Sequence, residues 1–547
     1  MENFSFGFWD YAIIGVYFVI IFAIGFYFAR KERNTTEYFL AGRHVGWFAV
    51  GASLFASNIS TEHFIGLSGS GYTSGIAVGN FEWSASVCLL FLGWVFVPFY
   101  LKSGVFTMPE FLERRFSASS RWYLSTVSIV AYILTKISVH LFAAGILLHL
   151  VMGWDLYTSS IFLVVATGLY TILGGMSAVI YTELIQTFIL LTGAIVLTLI
   201  GLHRVGGWHE LVSHVPDGYF SMFKPVSDPD FPWTGVIIAP FVVGIWYWCT
   251  DQSIVQRVLA AKNIDHAKTG TIMAGFLKIL PVFILVLPGL IAYALQQKGL
   301  LLPGKTLHPN DVYPVLIKYL LPAGFRGLIV ASLLAALLAS LAACFNSTST
   351  LMTIDVYKKW KPEASERQQV NFGRLATVVL VFISIAWVPL VNSLSDQLYV
   401  YLQSVQAYLS PPIACVFLLG LLWPKANARG ASIVLWTGFV LGLLRFVLEV
   451  IHKTHPFTDP FIRTMVTMNF MHFAILLFAF SLVLMMIVSV LTPAPAQEKL
   501  NGLTFRYAGH VDLSESYKVE SASRRKRNII ASCILVILLL ILYALFF

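Results

Sequence analysis

Inside the second of a long series of hydrophobic segments lies a polar run, Ala56-Ser57-Asn58-Ile59-Ser60-Thr61-Glu62-His63. Leu54 and Phe55 precede it, and Phe64-Ile65-Gly66-Leu67 follows. Hydrocarbon offers no hydrogen bonds, so irregular backbone at membrane depth persists only where it packs on protein or lines a cavity. A helix broken in mid-membrane beside a polar cavity is therefore expected. Many transporters place substrate and coupling ion at such breaks. The run predicts a carrier of a small solute, with this break as half of its binding site.

Composition supports a membrane setting. Charged residues make up 12% of the 547 and hydrophobic ones 58%, whereas a soluble domain carries about 25% charged residues. A bilayer-crossing helix needs roughly 20 apolar residues, and about fourteen segments qualify. They are 9–29, 46–70, 76–101, 122–151, 157–175, 178–202, 233–250, 270–296, 325–357, 372–392, 396–423, 430–451, 468–492 and 528–547. The net charge of +9 does not mark a nucleic-acid surface, because Lys and Arg collect in alternate loops. Arg30, Lys31 and Arg33 follow the first span, Lys358, Lys359 and Lys361 the ninth, and Arg524 to Arg527 precede the last. Basic loops stay cytoplasmic, so both termini are expected outside. The first span lacks a basic n-region, which argues against a cleaved signal peptide. Cys88, Cys249, Cys344, Cys415 and Cys533 all sit in apolar spans. Neither a disulfide framework nor a metal cluster is expected from them.

Spans two to six and seven to eleven are five each, and so begin on opposite membrane faces. That is the arithmetic of an inverted repeat. Each unit would open with a broken helix. The second would be span seven, which carries Gly244 ahead of Trp246-Tyr247-Trp248-Cys249-Thr250-Asp251.

Ionisable residues deep in spans need a partner or a wet cavity. Glu62, Glu82, Lys136, Glu183, Lys278 and Arg445 are the candidates. Glu82, between Phe81 and Trp83, suits a polyhydroxylated ligand, or equally an interfacial belt. Lys278 reads as a sugar-hydroxyl donor or half of a structural pair, and Lys136 and Arg445 as structural. Span nine is rich in small residues, with Ser340 a hydroxyl candidate for a sodium site or a helix back-bonded to itself. His140 and His149, nine apart, do not share a helical face. Gly69 and Gly71 lack the Gly-Lys-Ser/Thr of a phosphate loop.

Several stretches together resemble the sodium/solute symporter family, in its sodium/glucose cotransporter branch. They include Gly51 to Phe64, Gly79 to Trp83, Gly174 to Glu183, Trp246 to Gln252, Phe345 to Thr348 and Ile383 to Pro389. The resemblance implies an all-α polytopic membrane protein of LeuT type, with inverted five-helix repeats over 45–202 and 233–423. Segments 9–29 and 430–547 would add further helices to a single transporter domain. It implies a sugar site of Asn58, His63, Glu82, Tyr247, Trp248, Lys278 and Gln403. Leu67, Phe81 and Tyr399 would form the outer gate and Tyr247 the inner one. Sodium would meet the carbonyls of Ala56, Ile59 and Ala336 and the hydroxyl of Ser340.

The activity so implied is sodium-coupled symport of a glucose- or galactose-like monosaccharide by alternating access, with no enzymatic step. The partners are the sugar, Na+ and the bilayer; no nucleic acid is implied and the oligomeric state is left open. The alternatives are a sodium-independent or proton-coupled sugar carrier, or a myo-inositol transporter. Four departures bear on these choices. Ala339 stands where the family usually has the first of two serines. Glu183 replaces a usual Asp. Gly244 and Val400 replace polar groups of the animal glucose carriers. The cysteine-bearing external loops of the animal proteins are absent, which points to a bacterial inner membrane.

Overall fold

A computed structural model of the protein describes residues 7–29, 34–302, 307–322, 324–391, 398–508 and 522–547. Among the described residues the fold is helical, with no β-structure beyond two isolated bridges, Val45–Ala261 and Lys224–Pro232. Helix α1 spans Phe8–Ala29. The polar run does interrupt the next helix: α2 covers Trp47–Asn58 and α3 Thr61–Ser74. Helix α4, Asn80–Phe91, continues through a π-helical turn, Leu92–Phe96. Helices α5, Ala118–Ala131, and α6, Ser138–Met152, meet at a second π turn, Tyr132–Ile137.

Helix α7, Leu156–Val205, runs through the fifth and sixth expected spans and is kinked at Gly175, where φ is 48° and ψ −148°. A side chain is strained in that conformation, so glycine marks the kink. Helices α8, Ala239–Cys249, and α9, Gln252–Leu259, form the second broken pair, and the segments on either side of the break are bent by 51°. The expected break in span seven thus falls at Thr250–Asp251 and not at Gly244. Gly244 stays helical, and a Cβ there would meet Cys88 Sγ at 2.7 Å, which makes it a packing glycine. Helices α10, Ile264–Leu277, and α11, Leu287–Gln297, flank a third π turn. The chain then runs through α12, Phe325–Thr350; α13, Glu366–Val391; and α14, Leu398–Leu422. It closes with α15, Ala428–Thr454; α16, Phe470–Leu491; and α17, Ala522–Leu545.

Among the described residues, ten helices are long and apolar enough to cross a membrane, or eleven with the bent pair counted as one. The expected fourteen is not reached by this measure. Residues 61–103 form one candidate where the ends of two spans were expected, residues 122–151 do not qualify, and the first half of α7 offers only Tyr157–Leu169. The break is one reason. At 1.5 Å per residue neither α2 nor α3 alone spans about 30 Å of hydrocarbon.

The small-residue helix α12 is buried from Ile329 to Thr350 and packs along α7. Small side chains let such backbones approach closely. Its N-terminus is tied to α1 by Asp10, whose Oδ1 accepts the N–H groups of Gly324 at 2.8 Å and Gly327 at 2.7 Å. The Ser68–Gly71 stretch serves packing too, since a Cβ on Gly71 would lie 2.3 Å from Val286 O.

Candidate functional site

The break owes its shape to two extended residues and one cap. Ile59 (φ −75°, ψ 113°) and Ser60 (φ −127°, ψ −177°) leave helical space between α2 and α3. Ile59 N–H still reaches Phe55 O at 3.0 Å. Ser60 N–H turns away from the ladder and donates to His63 Nδ1 at 3.4 Å. This capping arrangement restarts the helix. It also sets the ring: with Nδ1 accepting, the proton sits on Nε2. Nε2 faces Glu82 Oε1 at 3.9 Å.

Around the break the seven residues expected for sugar line one cavity: Asn58, His63, Glu82, Tyr247, Trp248, Lys278 and Gln403. They come from α2, α3, α4, α8, the C-cap of α10 and α14. Lys278 is the hub. Its ammonium donates to Asn58 Oδ1 at 2.6 Å and to Glu82 Oε2. It lies 5.5 Å from the Trp248 ring centre. Asn58 Nδ2 donates in turn to Tyr247 OH at 3.1 Å. Lys278 and Glu82 are 1% and 2% exposed. A charge so buried is tolerated only when paired and hydrogen-bonded. Lys278 is thus one half of a buried pair, and it also lines the cavity.

Of the residues expected to act as gates, Phe81 lines the cavity beside Glu82, and Tyr247 lies on its wall. Leu67 is fully buried in the core and is not among the cavity-lining residues. Tyr399 opens α14, and its side chain lies outside the described residues.

The oxygens expected for sodium lie on α2, the break and α12. Thr61 Oγ1 donates to Leu333 O at 3.4 Å, so the restarted helix rests on α12. Ser340 Oγ donates to Ala336 O and to Leu337 O, each at 3.0 Å. Its hydrogen is turned into its own helix, and its lone pairs remain available. Ser60 N–H, bound to His63, is not spent on Ala56 O. Carbonyl and hydroxyl oxygens are the donor chemistry that hard cations take. Ala339, fully buried, contributes only a methyl group.

Sequence reasoning passed over several cavity residues. Lys136 lines the cavity and donates to Asp251 Oδ2 at 3.0 Å and Ser253 Oγ at 2.9 Å. Its pairing was expected; its place on the cavity was not. Asp251 also caps α9, accepting from Ser253 N at 2.9 Å. Glu62, His140 and Gln406 line the same cavity. Depth in a span singled out Glu62, but nothing local pointed to His140. Two other ionisable candidates are structural. Glu183 is bound by Arg257 Nη2 at 2.8 Å and by the Ser53 hydroxyl. Arg445 is held by Glu449 at 3.2 Å and Met468 O at 3.1 Å.

Comparison with known proteins places this arrangement. The model of the sodium:solute symporter family matches residues 38–438. Sodium/glucose cotransporter 1 of Oryctolagus cuniculus is 40% identical over 525 residues, covering 89% of this chain and 79% of that protein. The sodium/myo-inositol cotransporter of Homo sapiens is 40% identical over 541 residues, covering 91% and 75%. The solved structure of a Na+-coupled sialic acid symporter superposes with a TM-score of 0.76 at 24% identity, covering 90% of this chain and all of that one. That likeness carries the fold, which is of the LeuT type. With a broken helix on each side of one polar cavity and a family match across most of its length, this chain is a multi-pass membrane protein that belongs to the sodium:solute symporter family.

Proposed function

We propose that the protein carries a monosaccharide of the glucose or galactose kind into the cell together with sodium, by alternating access. The observation that carries this reading is the single cavity in which Asn58, His63, Glu82, Tyr247, Trp248, Lys278 and Gln403 converge beside the α2–α3 break. Carboxylate, amide, imidazole and ammonium can together satisfy several sugar hydroxyls, while Trp248 and Phe81 cover apolar C–H faces. The named relatives, a glucose and a myo-inositol cotransporter, support a ring polyol as the substrate class.

In this reading Ala56, Ile59, Ala336 and Ser340 hold the sodium ion between α2 and α12. Residues 45–202 and 233–423 form the two inverted repeats, which rock about the cavity. Tyr247 closes the inner path, and Phe81, Leu67 and Tyr399 the outer one. In this reading the chain lies in a bacterial inner membrane with both termini outside, an orientation that the alternation of basic loops supports. One sodium ion falling through 100 mV supplies about 2.3 kcal/mol, and a tenfold gradient adds about 1.4 kcal/mol. At one ion per sugar these support roughly 500-fold accumulation.

The test is uptake of labelled glucose, galactose and myo-inositol into proteoliposomes under an inward sodium gradient. Concentrative uptake that collapses without sodium is expected. Uptake indifferent to sodium but driven by a pH step would overturn sodium coupling. A preference for myo-inositol alone would replace the hexose.

A further inference from the structure

We propose that Glu62 and His140 form a second hydroxyl-reading pole of the cavity, a pair that decides which ring polyol is accepted. This rests on the transport reading above. Neither residue belongs to the Lys278 cluster, yet both line the same cavity. They are 3% and 5% exposed, and they come from different helices, α3 and α6.

Glu62 sits in the first turn of α3, directly after the break, so the capping turn fixes its position. Its Oε2 takes the Ser60 hydroxyl. Its Oε1 lies 3.7 Å from His63 Nδ1. His140, from α6, stands beside it, with Nδ1 3.2 Å from Glu62 Oε2, and its ring also bonds the Lys136 backbone one turn earlier. A buried carboxylate needs several donors, and Oε1 faces a ring nitrogen that already accepts from Ser60 N–H. A substrate hydroxyl is a fitting supplier. It can donate its hydrogen to the Glu62 carboxylate and exchange a second bond with the His140 ring.

The geometry separates two poles. Glu82 and Lys278 grip one edge of the ligand. His63 stands between the two carboxylates, 3.9 Å from Glu82 and 3.7 Å from Glu62. A ring carrying hydroxyls on both edges can satisfy both poles; one lacking the second hydroxyl leaves the Glu62 carboxylate short of a donor. Sites built to hydrogen-bond a hydroxyl reject analogues that lack it far more strongly than apolar pockets reject an extra methylene.

The full-length protein in proteoliposomes tests this. Uptake of the parent hexose is compared with that of its 2-, 3-, 4- and 6-deoxy derivatives, for the unaltered protein, Glu62→Gln and His140→Ala. For one derivative, the unaltered protein should show a KM raised about tenfold or more over the parent. In both variants that ratio should fall towards one while the other ratios hold. Sodium half-saturation should stay unchanged. Equal shifts for every sugar, or ratios that survive both substitutions, would overturn the pair's role while leaving the transport reading intact. Absence of uptake of any sugar by the unaltered protein would bring down both. Glu62→Gln is near-isosteric, so it keeps the test readable if His140→Ala fails to fold.

Discussion

Lys278 donates to Asn58 Oδ1 at 2.6 Å, joining residues 220 positions apart across the mouth of the helix break. The same ammonium binds Glu82. The bond ties the unwound turn to α10, so the shape of the break and the charge state of the cavity depend on each other.

The first prediction concerns that tie. Glu82→Gln leaves Lys278 buried without its carboxylate. Breaking a buried pair typically costs about 3–5 kcal/mol. The detergent-solubilised variant should unfold at a lower temperature and lose sugar uptake. Adding Lys278→Met should restore much of the thermal stability but not the uptake. A double variant that transports normally would show that the pair takes no part in substrate binding.

Ala339→Ser bears on the ion. If sodium lies between the α2–α3 break and Ser340, a hydroxyl one residue earlier adds an oxygen donor. The sodium concentration for half-maximal uptake should fall several-fold. An unchanged sodium titration would place the ion elsewhere.

Asp10 is a third target, remote from the cavity. Its carboxylate receives the N–H groups of Gly324 and Gly327 at the start of α12. Removing a helix cap costs about 0.5–2 kcal/mol. Asp10→Ala should lower the melting temperature, measured by intrinsic fluorescence, and leave sugar selectivity untouched. Altered selectivity would mean that α1 acts on the cavity through α12.

A fourth prediction is pH-dependent and lies outside the membrane-spanning segments. Partial burial pushes the Glu113 carboxyl up, but Lys359 and Arg121 more than offset this and hold it below its ordinary value of 4.5. Lys359 Nζ lies 2.8 Å away and Arg121 Nη1 2.5 Å. A depressed carboxyl contributes stability that is fully present above its unfolded pKa. That contribution is lost as pH falls through the folded pKa. The stability gap between the unaltered protein and Glu113→Gln should therefore be constant above about pH 5 and shrink below about pH 4.5. Thermal unfolding across pH 3.5 to 7 would check it, and a gap that widens on acidification would contradict the network.

Much of this was readable along the chain. The polar run 56–63 announced a break, since unpaired backbone in hydrocarbon has few other solutions. The small residues of α12 announced a close helix contact, and the boundary expected between spans 157–175 and 178–202 falls at the Gly175 kink in α7. The seven positions that the resemblance assigns to sugar line one cavity. Other features were not legible. Gly244 drew attention as the second interruption, yet the bend lies at Thr250–Asp251, where Asp251 caps α9 with its own carboxylate. Leu67, two turns beyond the break, is buried in the core and does not line the cavity. His140 looked like a stray histidine because its neighbour Glu62 is 78 positions earlier in the chain.

The sequence by itself determined that the chain lives in a bilayer as a set of helices, and that one of them must open around something polar. Hydrophobicity and backbone hydrogen bonding are local demands, and local residues answer them. Tertiary structure alone decided which charges meet. Lys278 found Glu82 and Asn58, Arg257 found Glu183, and Lys136 found Asp251. In a low-dielectric interior each buried charge needs a partner within a few ångströms, and which residue comes that near depends on how distant helices pack.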